Sequence, residues 1–304
     1  MLRYWYSSYS YIRRHGMYLT RHQTAQGSRW ARDGYFLPSS LGLGLLLELR
    51  RSAMVELLTT LPQDEAATGT ILAPLEPLHE VWGAGVTYLR SRDARKAESG
   101  MADIYEKVYD AMRPELFFKA IGWRVTGHKM PVRIRQDSDW NVPEPELTLV
   151  VNCHQEIVGY CAGNDMSSRD IEGENPLYLP QAKIYDGSCA LGPGLVLAEP
   201  DELSDLPIEL EVLREGGTSF QGATRSSNMK RKLPDLVAYL GLELDLPHGV
   251  FLMTGTGIVP GNDFSLRPGD TVRIKMGSLV LENEVQSIRH TIPPNLPLPV
   301  FDRR

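Results

Sequence analysis

Cysteine is scarce in this chain of 304 residues. Cys153, Cys161 and Cys189 form an odd, scattered set without a Cys-x-x-Cys pair. This pattern excludes a disulfide framework and a cysteine-based zinc knuckle. Scattered cysteines of this kind are typical of reduced thiols, so we expect a cytoplasmic protein.

An excess of positive charge and long apolar runs are also absent. The formal net charge is -6 and the pI is about 5.7, which argues against nucleic acid or an anionic membrane as a partner. No run of 18 apolar residues occurs, so the sequence predicts no transmembrane helix. The seven histidines show no Ser-His-Asp spacing and a Gly-x-Ser-x-Gly elbow is missing, so a serine hydrolase is not indicated.

Three acidic residues stand at the ends of two apolar segments. Glu144 and Glu146 lie two positions apart at the head of the first segment, and Asp165 ends the second. Residues two apart in a strand share a face, and the polar break at 152–156 predicts a hairpin that returns Asp165 beside Glu146. Crowded carboxylates need a cation, and hard oxygen donors favour Mg²⁺, with Mn²⁺ or Ca²⁺ as alternatives, over zinc. Exposed strand and turn acids are the plainer interpretation of each residue alone.

Two further residues are candidates for acid–base chemistry. Glu115 precedes the apolar residues 116–118, which would raise its pKa towards that of a general acid. Lys183 lies among small and apolar residues, and a lysine beside a divalent cation has a lowered pKa and can carry a proton. The plainer alternatives are a salt bridge between Glu115 and Lys119 and a surface position for Lys183.

Apolar periodicity and turn residues predict a mainly β fold with some α-helix. The expected strands follow Asp165 and include 208–213, 271–276 and 279–285, with a hairpin turn at 215–218. The expected helices are Thr87–Ser99, Ala102–Met112 and Leu233–Leu240, and 41–54 is expected to be partly helical. A glycine-rich turn at 253–260 has backbone N–H groups and Thr hydroxyls suited to a carboxylate, with a structural turn as the alternative.

Composition divides the chain into three parts. Residues 1–16 are rich in Tyr and Arg and free of acids, and we expect a disordered extension, with Met17 as the natural start and a transit peptide as the alternative. Residues 17–77 are expected to form a small N-terminal domain that ends in a Pro-containing linker. Residues 78–304 are expected to form a metal-dependent catalytic domain.

As a set, four segments resemble the fumarylacetoacetate hydrolase superfamily. They occur in the family's order over about two-thirds of the chain: Glu144-x-Glu146, Gly163-Asn-Asp165-Met-Ser167-Ser-Arg169-Asp170, Gln181-x-Lys183-x-x-Asp186-Gly-Ser188 and Thr254-Gly-Thr256-Gly. The resemblance implies a mixed β-sandwich roll with a small N-terminal domain. It also implies Mg²⁺ bound by Glu144, Glu146 and Asp165, a 2-oxo acid substrate, and a homodimer or homotetramer.

The segment 85–94 departs from the hydrolytic members of that superfamily. Ser91 stands where those members have a water-activating His, and Ala94 stands where they have its partner Glu. Together with 114–119 and 18–27, this segment resembles the 2-keto-3-deoxy-pentonate (arabinonate/xylonate) dehydratase branch. The resemblance implies a hydro-lyase of pentose catabolism that yields 2,5-dioxopentanoate. The alternatives are a C–C bond hydrolase or decarboxylase acting on an acylpyruvate-type 2-oxo acid, and a catalytically silent binding module.

The same resemblance implies roles for single residues. Lys183 is expected to move the proton at C3 of the substrate and Glu115 to protonate the departing C4 hydroxyl, and the sequence leaves open an exchange of these roles. Five residues complete the expected substrate site: Thr256, Arg169, Asp186, Ser91 and Arg90. Of these, Thr256 is expected to hold the substrate carboxylate, Arg169 to orient Asp165 and its neighbours, and Asp186 to orient Lys183.

Overall fold

The computed structural model describes residues 16–98 and 107–287. Its helices are α1 (Leu43–Leu47), α2 (Arg51–Thr60), α3 (Leu89–Glu98), α4 (Arg169–Glu174), α5 (Leu179–Lys183) and α6 (Leu233–Leu240). Its strands are β1 (Tyr18–Thr24), β2 (Gly27–Arg32), β3 (Tyr35–Phe36), β4 (Thr70–Leu72), β5 (Glu80–Gly85), β6 (Glu115–Ile121), β7 (Val132–Arg133), β8 (Asn141–Val142), β9 (Pro145–Val151), β10 (Ile157–Asp165), β11 (Ser167–Ser168), β12 (Cys189–Leu197), β13 (Pro207–Arg214), β14 (Gly217–Arg225), β15 (Val250–Met253), β16 (Thr271–Met276) and β17 (Leu279–Gln286).

Two sheets packed face to face form the core. The larger has ten strands in the order β3-β2-β1-β12-β10-β9-β15-β5-β6, with β4 paired to β1. The smaller has five strands in the order β14-β13-β16-β17-β7, and it packs on β9, β10 and β12. Every residue of β9 and β10 is buried because protein covers both faces of these strands. Since β15 and β5 are parallel while most other pairs are antiparallel, the predicted mainly β, mixed architecture is confirmed.

Local sequence signals fix several elements. Helix α6 begins at Leu233 with Pro234 in its first turn, as predicted. The loop between β13 and β14 consists of Glu215 and Gly216, both with positive φ angles, 51° and 81°. Two successive left-handed residues match the right-handed twist of a tight hairpin, and the hairpin expected at this position is confirmed.

Only some of the predicted segments lie within the described residues and can be compared with the structure. Residues 1–15 of the expected extension lie outside the described residues, as does much of the expected helix Ala102–Met112, of which residues 107–110 are helical. The segment 17–77 adds β1 to β4 to the large sheet through the pair β1–β12, and its independence as a domain stays a prediction. Within residues 16–98 and 107–287, none of the helices combines the length and apolar character that crossing a membrane requires.

Candidate active site

The hairpin of β9 and β10 brings the three acidic residues together. Glu146 lies on β9, where Gly163 of β10 is its register partner. Glu144 lies one residue before β9, and its carbonyl accepts a 2.9 Å hydrogen bond from the backbone N–H of Asp165. Asp165 therefore returns beside Glu144, two residues from the partner that we expected from the sequence. Each of the three carboxylates offers an oxygen within 4.8 Å of the others, and all three residues are buried.

Three cationic side chains surround these carboxylates. Nη2 of Arg169 donates to Oε1 of Glu144 at 2.9 Å. Nζ of Lys183 donates to Oε2 of Glu144 at 2.7 Å and to Oδ2 of Asp165 at 3.0 Å. Nζ of Lys119 lies 2.5 Å from Oδ1 of Asp165. Arg169 therefore orients Glu144 directly, whereas two lysines hold the carboxylate of Asp165.

Glu146 lies in an unfavourable electrostatic position. Burial raises its pKa well above the usual range, and the neighbouring charges of Asp165 and Glu144 raise it further. Its Oε2 accepts a 2.6 Å hydrogen bond from the backbone N–H of Gly255. Gly255 has a φ of 91°, and a Cβ here would lie 2.1 Å from Oγ1 of Thr87. The glycine is therefore required for this turn, and the carboxylate that the turn holds is that of Glu146.

The residues present fit a magnesium ion. Glu144, Glu146 and Asp165 supply only hard oxygen donors, the type that Mg²⁺ prefers. Oδ1 of Asp165 is buried and accepts no hydrogen bond of good geometry from the described residues, although the Lys119 ammonium is close to it. A divalent cation among these groups would also offset the repulsion that raises the pKa of Glu146.

A cavity beside the carboxylates collects most of the predicted site residues. Glu115, Lys183, Ser91 and Thr256 all line it together with the three carboxylates. Glu115 begins strand β6, and Lys183 ends helix α5. The hydroxyl of Thr256 donates to the carbonyl of Ile258 and accepts from its N–H, both at 3.2 Å.

Three of the predicted site residues do not line this cavity. Asp186 does not line the cavity: its side chain is 52% exposed, and its Oδ1 lies 3.9 Å from Nε of Arg124. Arg90 is exposed on α3 and does not line the cavity, since that helix turns the adjacent Ser91 inward instead. Arg169, which we expected to orient Asp165 and its neighbours, donates to the neighbouring Glu144.

Sequence reasoning missed two side chains of the site. Lys119 is fully buried and pairs with Asp165, although we had considered only Glu115 as its partner. Glu172 lines the cavity and accepts a 2.7 Å hydrogen bond from Oγ of Ser167. Its position three residues after Arg169 on α4 places both on one side of that helix, and this spacing was an available signal.

Known proteins resemble this chain over most of its length. Residues 80–286 match the family model described as fumarylacetoacetate (FAA) hydrolase C-terminal. A 2-dehydro-3-deoxy-D-arabinonate dehydratase from Saccharolobus solfataricus is 44% identical over 217 residues, which are 69% of this chain and 72% of the relative. A probable 2-keto-3-deoxyxylonate dehydratase from Haloferax volcanii is 45% identical over 211 residues, 69% of this chain and 73% of the relative. The solved structure of a 2-keto-3-deoxy-D-arabinonate dehydratase complexed with magnesium and 2,5-dioxopentanoate is 34% identical, with a TM-score of 0.76, and covers 90% of this chain and 100% of its own.

Proposed function

We propose that this chain, which belongs to the fumarylacetoacetate hydrolase family, is a hydro-lyase that removes water from a 2-keto-3-deoxy-pentonate. The observation that carries the proposal is the cavity in which Lys183 and Glu115 lie beside the three carboxylates. Two relatives with more than 40% identity are named as dehydratases of such substrates. The family resemblance that the motifs predicted is thereby confirmed.

The cavity has one end suited to the 2-oxo acid group of the substrate. Glu144, Glu146 and Asp165 would hold Mg²⁺, which when bound stabilises negative charge on substrate oxygens. Lys183 and Thr256 line the same cavity as the three carboxylates. We assign Thr256 to binding the substrate carboxylate, and Ser91 to the same wall as a small polar contact.

The chain's own residues would move two protons. We assign Lys183, as its neutral amine, to taking the proton from C3, because it lies beside the groups that would hold the 2-oxo acid. Glu115 is placed to protonate the C4 hydroxyl, which then leaves as water as the C4–O bond breaks. Phe117 shares this wall and keeps part of it apolar, which supports proton transfer between substrate and side chain rather than to bulk water. An exchange of the two roles remains an alternative.

The proposed product follows from the atoms. Loss of a hydrogen from C3 and the hydroxyl from C4 leaves a C3–C4 double bond. Removal of a proton from C5 and return of one to C3 give a C4–C5 enol. This enol becomes the C5 aldehyde when C4 gains a proton and the hydroxyl loses its own. The sum is 2,5-dioxopentanoate plus one water, and 2,5-dioxopentanoate is the compound named in the related solved structure.

Hydrolysis of a C–C bond is less well supported. That chemistry needs a group that activates water, and no histidine lines the cavity in the described part of the chain. Ser91, which stands where hydrolytic members carry histidine, is buried in the cavity wall. A serine hydroxyl is itself a poor base for activating water, so we rank dehydration first.

Product analysis tests the proposal. Incubation of the Mg²⁺-loaded protein with 2-keto-3-deoxy-arabinonate and 2-keto-3-deoxy-xylonate should give a product lighter by the mass of one water in the mass spectrometer. An acylpyruvate in parallel should stay intact, and chelator should stop the reaction. Two carbon fragments from the acylpyruvate, with no turnover of either pentonate, would refute the proposal in favour of a hydrolase.

Three broader assignments belong with this function. We propose a role in pentose catabolism, because 2-keto-3-deoxy-pentonates arise by oxidation and dehydration of pentoses. We also propose a cytoplasmic location, since all three cysteines are free. The expected homodimer or homotetramer can be checked by light scattering coupled to size-exclusion chromatography, where a monomer at micromolar concentration would contradict it.

A further inference from the structure

An irregularity in strand β6 directs Lys119 towards the site. Ala120 of β6 pairs with Val81 of β5, and Phe118 pairs with Trp82, so Lys119 is an extra residue between two successive pairs. This arrangement is a β-bulge, which bends a strand and re-aims the side chain at the bulge. The result is that two consecutive residues, Lys119 and Ala120, are both fully buried.

The ammonium of Lys119 meets three oxygen atoms from two segments of the chain. Its Nζ lies 2.5 Å from Oδ1 of Asp165 and donates to the carbonyl of Met166 at 3.1 Å. It also donates to the carbonyl of Lys183 at 2.5 Å. The two carbonyls use two of the three N–H donors of the ammonium, and the carboxylate of Asp165 is its ion-pair partner. Lys119 therefore connects the end of β10 to the end of α5.

The two connected segments carry the residues that must be placed relative to each other. Asp165 is a proposed metal ligand, and Lys183 is the proposed base at the end of α5. The last carbonyls of a helix lack partners within the helix, and a cation there is favourable. Oγ of Ser188 also donates to the carbonyl of Lys183, at 2.9 Å, so this end of α5 is held from two sides.

We infer that Lys119 is a positioning residue of the reaction: it fixes the Asp165 carboxylate and the backbone of Lys183 in one frame. It lies behind Asp165 and does not line the cavity, so it acts through its neighbours. The kinetic test of this inference rests on the proposed function, whereas the Mg²⁺-binding test does not depend on it. The competing explanation is a buried ion pair that stabilises the fold without affecting the chemistry.

Two substitutions separate these explanations. Lys119→Met removes the charge. Lys119→Arg keeps the charge but replaces the compact ammonium by a planar guanidinium, whose geometry cannot match the same three oxygens. Arg214→Met is the matched control, because Arg214 pairs at 2.7 Å with Asp270, which is buried, and neither residue lines the cavity. The readouts are the melting temperature, the Kd for Mg²⁺ by calorimetry, and kcat and KM for the 2-keto-3-deoxy-pentonate.

The inference predicts a distinct pattern. Lys119→Met should weaken Mg²⁺ binding by about tenfold or more, the usual effect of losing a group that orients a metal ligand. Lys119→Arg should largely restore Mg²⁺ affinity, whereas its kcat should stay about tenfold or more below the parent. Arg214→Met should lower the melting temperature and leave the Mg²⁺ affinity and kcat unchanged.

Other outcomes overturn the inference. Parental Mg²⁺ affinity and kcat in Lys119→Met, with only a lower melting temperature, would make Lys119 a purely structural residue. If Lys119→Met does not fold, Lys119→Arg decides, and parental kcat in that variant refutes the positioning role. A parent protein without dehydratase activity would refute the proposed function instead, and Mg²⁺ affinity of Lys119→Met would still test Lys119.

Discussion

Replacing Lys183 by Met tests the proposed base most directly. Met keeps the length and apolar stem of the side chain and removes the ammonium, which lies 2.7 Å from Oε2 of Glu144 and 3.0 Å from Oδ2 of Asp165. Both carboxylates keep another cation, since Arg169 pairs with Glu144 and Lys119 with Asp165. The variant should therefore fold and retain its Mg²⁺ site.

The expected losses can be estimated from the geometry. Removing one partner of a buried ion pair costs about 3–5 kcal/mol when the other charge is left unpaired. Because Arg169 and Lys119 remain, we expect the loss in the free energy of unfolding to be at the low end of that range when chelator is present. Bound Mg²⁺ should make this loss smaller. Loss of a general base lowers kcat by about a hundredfold or more, which corresponds to about 2.7 kcal/mol in the activation free energy.

Two assays isolate the base from the fold. Exchange of the C3 hydrogens of the substrate with deuterated solvent, followed by NMR, reports proton removal alone, and it should vanish in Lys183→Met. Calorimetry reports Mg²⁺ affinity. Lys275→Met is the control, because Lys275 is an exposed lysine whose ion pair with Glu209 lies outside the cavity. If Lys183→Met still exchanged the C3 hydrogens at the parental rate, Lys183 would only position the substrate and Glu115 would have to be the base.

Three more outcomes follow from the site and the core. EDTA should abolish turnover and Mg²⁺ or Mn²⁺ should restore it, since three buried carboxylates supply the ligands; full turnover in EDTA would contradict the metal site. Because the pKa of Glu146 is raised, the folded protein binds this proton more tightly than the unfolded chain. In EDTA the free energy of unfolding from urea titrations should therefore fall as the pH rises above the ordinary glutamate range, and Glu146→Gln should remove that slope. Burial raises the pKa of the Cys189 thiol to about 12 and that of Cys161 well above its usual value. Iodoacetamide followed by peptide mass spectrometry should thus label only Cys153 in the native protein, and rapid labelling of Cys189 would show that the core opens.

The sequence was most informative where one local pattern decides the structure. The hairpin that joins Glu146 to Asp165 was predictable, because two apolar runs flank a short polar break and protein buries both strands. The three-carboxylate cluster followed from that hairpin and from the two-residue spacing of Glu144 and Glu146. The expected partner of Asp165 was nevertheless off by two residues, since the pairing register depends on the turn geometry.

The predictions failed where side-chain direction depends on distant packing. Arg90 and Ser91 are neighbours in sequence, yet α3 exposes the first and buries the second, and only the docking of that helix decides which one faces the cavity. Asp186 shares a motif with Lys183, but the chain leaves α5 between them and turns the carboxylate to solvent.

Lys119 shows most clearly why local patterns were insufficient. In the sequence, Lys119 was only a near neighbour of Glu115 and a candidate salt-bridge partner for it. Regular alternation along β6 would place both residues on one side of the strand. The bulge at Lys119 breaks the alternation, and a bulge is a property of how β5 and β6 pair. Its partner Asp165 lies 46 positions later in the chain, where no sequence periodicity could connect the two. The proposed metal ligands could therefore be predicted from local sequence patterns. The contacts that support them could not, because they join strands that meet only in the folded sheet.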